Sequence, residues 1–328
     1  MTPCVSVVMP LYNKGGEIRR AIKSVIGQEF CDFELIVVDD GSTDSGPEIV
    51  RGYRDPRIRV VSQANAGVSV ARNRGIELAR TDLIAFLDAD DEWQSQFLAT
   101  ILGLSVKFPE CGVFATSYYI ANNKTGIRRA VLNGLPPVLE EGILQRYFQV
   151  AAQSDPPLCS SAIVVRSAAI RAVGGFPVGI ATGEDLLTWA KLAVDYKIGY
   201  RNVPLATFWE PEEISSRPGR VPAVPDRVGE ELARLLDRRE LTAVAGLPEY
   251  IAHWHRMRGV IFLRLADSRS AREELGRALH LAGLRGKLPA LFLISLLPGL
   301  SARLFYETMK RLFTGRVRRG WRGNSGAS

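Results

Sequence analysis

Along residues 1–120, short apolar runs alternate with segments whose apolar positions recur at helical spacing, the pattern of βαβ units around a parallel sheet. Val5 to Leu11, Glu34 to Asp39, Ile58 to Val61 and Leu83 to Leu87 read as strands. Gly15 to Gly27 reads as a helix with Ile18, Ala21, Ile22, Val25 and Ile26 on one face. Val68 to Ala79 and Gln94 to Lys107 are helical as well, and Val113 to Ile120 is extended. Residues 121–160 carry Asn122-Asn123, Pro136-Pro137 and Pro156-Pro157 and read as irregular. A strand follows at Ser160 to Arg166, a break at Gly174-Gly175, and a helix at Glu184 to Val194 with Leu186, Ala190 and Ala193 on its inner face. Two extended runs, Ile198 to Val203 and Ala206 to Trp209, end this part.

The four prolines of residues 211–225 mark a linker, and beyond Asp226 only helical spacing is found, over 226–240, 249–266, 268–283 and 288–313. The expected architecture is α/β: a domain over 1–225 with a mostly parallel sheet flanked by helices, and an all-helical region over 226–328.

Composition adds limits. The 328 residues are 46% hydrophobic and 23% charged, enough to bury a sizeable core and unlike a disordered chain. Cys4, Cys31, Cys111 and Cys159 are scattered, without a CxxC pair, so neither a zinc site nor a disulfide framework is expected. Cys4 and Cys31 sit beside apolar residues and read as small core residues. No signal peptide is expected and no stretch is long enough for a transmembrane helix, so a cytoplasmic location fits. The net charge of +7 is uneven. Residues 226–328 hold 19 Lys/Arg against 10 Asp/Glu, while residues 1–225 are slightly acidic. That asymmetry points to an anionic surface as partner.

The chemistry gathers where strands end. Asp88-Ala89-Asp90-Asp91 closes a buried strand, the edge of an open α/β sheet where ligands bind. Three carboxylates in four positions repel one another unless a cation lies between them. A hard divalent cation gripping a diphosphate would resolve this, whereas helix capping accounts for one aspartate only. Asp39-Asp40-Gly41-Ser42-Thr43-Asp44 puts two more carboxylates at the end of another strand, and Pro10-Leu11-Tyr12-Asn13 puts an aromatic ring there for a base to stack on. Glu184-Asp185 opens a helix. It fits either a general base at the cleft mouth or a capping box with Thr182.

In this order, with Ala71-Arg72-Asn73-Arg74-Gly75 between the second and third, these motifs resemble those of family-2 glycosyltransferases, over about residues 3–210. The resemblance implies a GT-A fold and an inverting transfer from a nucleoside-diphosphate sugar, a UDP-sugar, to a glycan or lipid-linked acceptor in cell-surface polysaccharide synthesis. It implies that Pro10, Tyr12, Asp40 and Arg72 hold the nucleotide, that Asp88 and Asp90 bind Mn²⁺ or Mg²⁺, and that Asp185 is the catalytic base. The Gln-x-x-Arg-Trp motif of processive members is missing, so addition of a single sugar is expected.

Two other readings compete. A nucleotidyltransferase on a related fold would carry a Gly-rich, basic loop after its first strand, and Lys14-Gly15-Gly16 is too slight to supply one. A non-catalytic basic module would bind membrane or nucleic acid. The tail interleaves few aromatics with its arginines, so no nucleic-acid partner is expected. Instead, the apolar Leu288 to Leu297 and the basic residues that follow suggest a peripheral segment on the inner face of the cell membrane. Packing of that segment as a hairpin on the protein is the alternative. His253, His255 and His280 read as structural.

Overall fold

The computed structural model describes residues 4–135, 140–210, 221–237 and 244–320, with side chains as far as Lys310. The chain forms two compact units, one of residues 1–212 and 230–246, the other of 213–229 and 247–328.

The first unit holds the strands β1 (Val5–Leu11), β2 (Phe33–Asp39), β3 (Ile58–Ser62), β4 (Leu83–Phe86), β5 (Glu92–Trp93), β6 (Cys111–Asn122), β7 (Gly126–Arg129), β8 (Glu141–Ile143), β9 (Ile163–Arg166) and β10 (Lys197–Trp209). They make one sheet in the order β3-β2-β1-β4-β9-β6-β10-β5, with β7 on β6 and β8 on β10. Its helices are α1 (Ile18–Ile26), α2 (Gly46–Arg51), α3 (Val68–Leu78), α4 (Phe97–Lys107), α5 (Tyr147–Gln153), α6 (Ser167–Ala172) and α7 (Glu184–Asp195).

β3, β2, β1 and β4 run parallel, and β9 is antiparallel to β4 and β6. A parallel sheet must be covered on both faces, which is why Val5, Val7, Val8 and Met9 are buried without alternation. One core cluster joins β1, β2 and β4 to Ile18, Ala21, Ile22 and Val25 of α1 and to Phe97, Leu98 and Ile101 of α4. On β1, α3 lies so close that a Cβ at Gly75 would come 2.2 Å from Cγ1 of Val8. Leu11 of β1 stands opposite Asp39 of β2, and Val8 opposite Phe86 of β4. The carboxyl ends of three neighbouring strands therefore open on one edge, with β1 between β2 and β4 where the strand order reverses. Such a switch point is a ligand crevice.

The second unit packs α9 (Leu247–Arg264), α10 (Ser268–Ala282), α11 (Leu288–Ser295) and α12 (Gly299–Gly320) around their own core, which includes Leu263, Ala271, Leu275, Leu288 and Ile294. Between α7 and α9 in the chain lies α8 (Arg227–Asp237).

Several expectations are corrected. Residues 121–160 are not irregular throughout: they hold β7, β8 and α5. The two runs at 198–209 are one strand, β10, whose register on β6 shifts around Arg201 to Ala206, so its side chains break alternation there. Leu187, Ala190 and Leu192 form the buried face of α7, while Leu186 and Ala193 are only half-buried. Cys4 and Cys31 are exposed; only Cys111 is buried. The expected 288–313 helix is broken at Leu296–Pro298, since Pro298 disfavours continuation.

The expected boundary at 225/226 cuts differently. Residues 230–246 belong to the first unit: Leu232 and Leu235 are buried, and Glu231 lies 3.6 Å from Lys191 of α7. Asp226 belongs to the second, tied to Trp254 and Arg258. Most of the 211–225 linker and Pro136-Pro137 lie outside the described residues.

Candidate active site

The loops after β1 and β2 are stitched together. Asn13, at φ 51°, donates its N–H to Oγ of Ser42 at 3.1 Å, and its side-chain oxygen accepts from the N–H of Thr43 at 2.8 Å. Asn tolerates the left-handed region that few other residues do. Pro10, one residue before the end of β1, stands opposite Val38, and the Tyr12 ring projects from the loop, 49% exposed, as a face for stacking. Asp40 is buried and serves the loop before α3. Its carboxylate accepts from Gln63 Nε2 and the N–H of Gly67, each at 2.8 Å, and from the N–H of Ala66 at 3.0 Å. A carboxylate offers about four acceptor sites, so one remains for a ligand.

The third strand end carries the clustered aspartates. Asp88 is paired with Arg72, whose Nη2 lies 2.7 and 3.0 Å from its two oxygens. The same guanidinium reaches Oε1 of Glu184 at 3.3 Å and lies over the Phe176 ring at 5.0 Å. Arg72 sits in α3, 3% exposed. Burial alone would weaken its charge, but Asp88, Glu184 and Asp185 around it raise its pKa above the ordinary value. Asp90 is matched by Lys14, with Nζ 2.6 Å from Oδ2, and Arg20 donates to the Asp90 carbonyl. Each carboxylate of the pair thus faces a cation from the protein.

Asp91 points the other way. It is 1% exposed and accepts from Oγ of Ser161 and, at 2.8 Å, from the N–H of Trp209. Burial, then the neighbouring Asp88 and Asp90, push its carboxyl well above the usual range. Ser161 also accepts from the N–H of Asp88 at 3.1 Å, so one buried hydroxyl fixes the strand end between two aspartates.

Asp185 lies in the first turn of α7. The N-cap is Gly183, at φ 84°, and no side chain caps the helix, so Thr182 does not form the capping box. Half-buried Asp185 has Oδ2 3.4 Å from Oγ of Ser160 and accepts from the N–H of Leu186 at 2.8 Å. Glu184 beside it is buried, and burial followed by Asp185 raises its pKa against the opposing pull of Arg72. Asp88 and Glu184 thus touch the Arg72 guanidinium, Asp185 follows Glu184 in the chain and its charge also acts on Arg72, and Asp90 is held apart by Lys14. Pro10, Tyr12 and Asp40 stand on the adjoining strand ends. Arg20 and Ser161 are added by the structure, as is the pairing of Lys14 with Asp90; a lone Arg or Ser in a loop or helix gives no periodic or motif signal in a sequence.

Two carboxylates with oxygen donors at a strand end suit a hard divalent cation. A second cluster, Asp226, His255 and Glu274, has ligand-type atoms within 4.8 Å of one another in the other unit. Arg258 Nε lies 3.2 Å from Asp226 and 3.0 Å from Glu274, and Trp254 Nε1 donates to Asp226 at 3.0 Å. A cation there would leave a buried guanidinium unpaired, so this cluster is an internal ion network. Asp88 and Asp90 offer the oxygen donors that such a cation takes, and Arg72 would keep Glu184 as its partner there.

The chain is similar to the uncharacterized glycosyltransferase YibD of Escherichia coli, 44% identical over 105 residues, 31% of this chain and 30% of that protein. It is also similar to TuaG of Bacillus subtilis, named for teichuronic acid biosynthesis, 42% identical over 99 residues, 29% of this chain and 39% of TuaG. The alignments thus span well under half of these relatives. Among solved structures, TarS residues 1–349 of S. aureus, in complex with UDP-GlcNAc, superposes with a TM-score of 0.66 at 19% identity, covering 95% of this chain and 92% of that one. The mannosyltransferase PcManGT of Pyrobaculum calidifontis, in complex with GDP-Man and Mn²⁺, gives a TM-score of 0.56 at 19% identity over 99% and 89%. These likenesses show the GT-A fold. The model of glycosyl transferase family 2 matches residues 6–174, just over half of the chain, and the chain belongs to that family.

Proposed function

We propose that the protein is an inverting glycosyltransferase. It moves one sugar from a nucleoside-diphosphate sugar, a UDP-sugar, to a glycan or lipid-linked acceptor in cell-surface polysaccharide synthesis, at the inner face of the cell membrane. The observation that carries this reading is buried Arg72 bound to Asp88 and to Glu184 at the carboxyl edge of the sheet, with Asp185 next to Glu184 and Asp90 held by Lys14. The names of TuaG and of the TarS and PcManGT complexes support the substrate class.

In this reading Tyr12 stacks on the base beside Pro10, and Asp40 both holds its loop and accepts from the base. Asp88 and Asp90 would hold Mn²⁺ or Mg²⁺. When bound, the cation offsets the charge that develops on the leaving diphosphate. Arg72 holds Asp88 in place. Asp185 takes the proton of the acceptor hydroxyl as its oxygen attacks the anomeric carbon, and a single displacement inverts that centre. Lys14, 2.6 Å from Asp90, would add a positive charge for the donor diphosphate.

The test is donor binding and transfer over a panel of nucleotide sugars, with and without EDTA, for the parent protein and Asp90→Ala. The expected outcome is binding of one donor that depends on a divalent cation and is lost in the variant. Full transfer in EDTA would reject the assignment of Asp88 and Asp90.

A further inference from the structure

α11 and α12 have two unlike sides. On one, Leu288, Ile294, Ser295 and Ala302 are buried, with Leu291, Phe292 and Tyr306 packed against the core of the second unit. On the other, Leu293, Leu296, Leu297, Leu300, Leu304 and Phe305 are all exposed, from 39% to 71%. Leu300 and Leu304 lie one turn apart on α12, and Leu293 near the end of α11 and Leu296 and Leu297 in the turn precede them, so the exposed apolar side chains follow one another along the sequence as a ridge. A single exposed leucine is ordinary, whereas five leucines and a phenylalanine within thirteen residues make a patch of the kind that marks an interaction surface.

The flanks are cationic. Exposed Arg285 and Lys287 precede the ridge, and exposed Lys310 follows it. From Arg285 onward the sequence holds nine Lys/Arg and one acidic residue, Glu307. No helix among the described residues is long and apolar enough to cross a membrane. An apolar ridge set between cations matches an interface whose interior is acyl and whose surface is anionic. It matches a second copy of this chain poorly, because a two-fold contact would bring the same positive flanks together.

We propose that residues 293–305 lie flat on an anionic phospholipid surface. The leucines and Phe305 enter the acyl boundary, and Arg285, Lys287 and Lys310 meet the headgroups. The two sequence alternatives, a packed hairpin and a membrane segment, are then two faces of one element: Leu288 and Ile294 pack inward while Leu293 and Leu300 face lipid. The lipid contact stands on these residues alone. Its use in presenting a lipid-linked acceptor to Asp185 rests on the proposed function.

Sedimentation of the full chain with phosphatidylglycerol/phosphatidylcholine vesicles tests this, with phosphatidylcholine vesicles as control. The parent should pellet with the anionic vesicles, and Leu300→Asp/Leu304→Asp should partition roughly 10²-fold more weakly, the loss of two buried leucines. Lys287→Glu/Lys310→Glu should lose its preference for anionic over neutral vesicles while keeping the ridge, a second readout if the first variant misfolds by circular dichroism. Donor hydrolysis should be unchanged in both variants, which separates this proposal from the assignment of the active site. A parent that stays in the supernatant overturns the proposal, as does equal pelleting of parent and variants. A parent dimer that the leucine variant dissociates, without any vesicle binding, also overturns it and makes the ridge an interface between copies.

Discussion

Arg72 holds both oxygens of Asp88 through a single nitrogen, Nη2, at 2.7 and 3.0 Å, and its other terminal nitrogen reaches Glu184 at 3.3 Å. An arginine can do this because its planar fork presents several donors in fixed directions, whereas lysine is a point charge on a flexible stem. The side chain is 4% exposed, so removing it leaves Asp88 and buried Glu184 facing one another without a counter-ion. Arg72→Met should therefore cost about 3–5 kcal/mol, the loss expected when one partner of a buried pair is removed. Arg72→Lys should recover only part of it. Urea-unfolding midpoints measure both, and a loss below about 1 kcal/mol for Arg72→Met would show that the network is solvated.

Asp185 stands behind a glycine N-cap and carries the proton in the proposed reaction. Asp185→Asn keeps the shape and removes the base. Turnover should fall by roughly 10²–10⁴-fold, the usual contribution of a positioned base. Donor affinity should change little, because the carboxylate acts on the acceptor. Weakened donor binding with turnover intact would move Asp185 to the donor side.

Gly75 is a helix-interior glycine, where alanine would ordinarily gain up to about 1 kcal/mol. Here α3 rests on β1, and a Cβ would lie 2.2 and 2.9 Å from the two Cγ atoms of Val8. Val8 is fully buried and has nowhere to move. Gly75→Ala should thus destabilise by about 1–3 kcal/mol, as overpacking does, against the helix-propensity gain. Gly75→Ala/Val8→Ala should recover part of the loss, and the comparison of single and double variants measures the coupling.

Where a segment's period is strong, the sequence is a sufficient guide. β1, β2, α3 and α7 lie within a residue or two of their expected ends, because continuous apolar runs and helical spacing report burial directly. β7, β8 and α5 escaped because each is short. Every residue of β7 is exposed, so hydrophobicity gives no signal there. The site divides likewise. Asp88, Asp90 and Asp185 stand out as clustered carboxylates at element ends. The pairing of Arg72 with Asp88 and Glu184 joins residues 16 and 112 positions apart, which only the folded chain brings together.

The second unit offers a test on pH. Glu274 is 4% exposed and lies 2.6 Å from Nδ1 of His255 and 3.0 Å from Nε of Arg258. Burial alone would raise its pKa, but the hydrogen bond from His255 and the charge of Arg258 outweigh it and hold the carboxyl below its ordinary value of 4.5. A carboxylate whose folded pKa is depressed binds fewer protons folded than unfolded. Its contribution to stability is therefore present above the unfolded pKa and is lost as pH falls through the folded one. The contribution of Glu274 should hold from pH 7 toward 5 and decline below about 4.5. Glu274→Gln removes the charge and leaves Arg258 with Asp226 alone, so it should cost about 3 kcal/mol at pH 7. The difference between variant and parent should then shrink as the pH is lowered, since protonation does to the parent what the substitution has already done. Urea midpoints from pH 7 to 3 for both proteins give the comparison. A difference that stays constant across that range would mean that packing around residue 274, and not its charge, supports the unit.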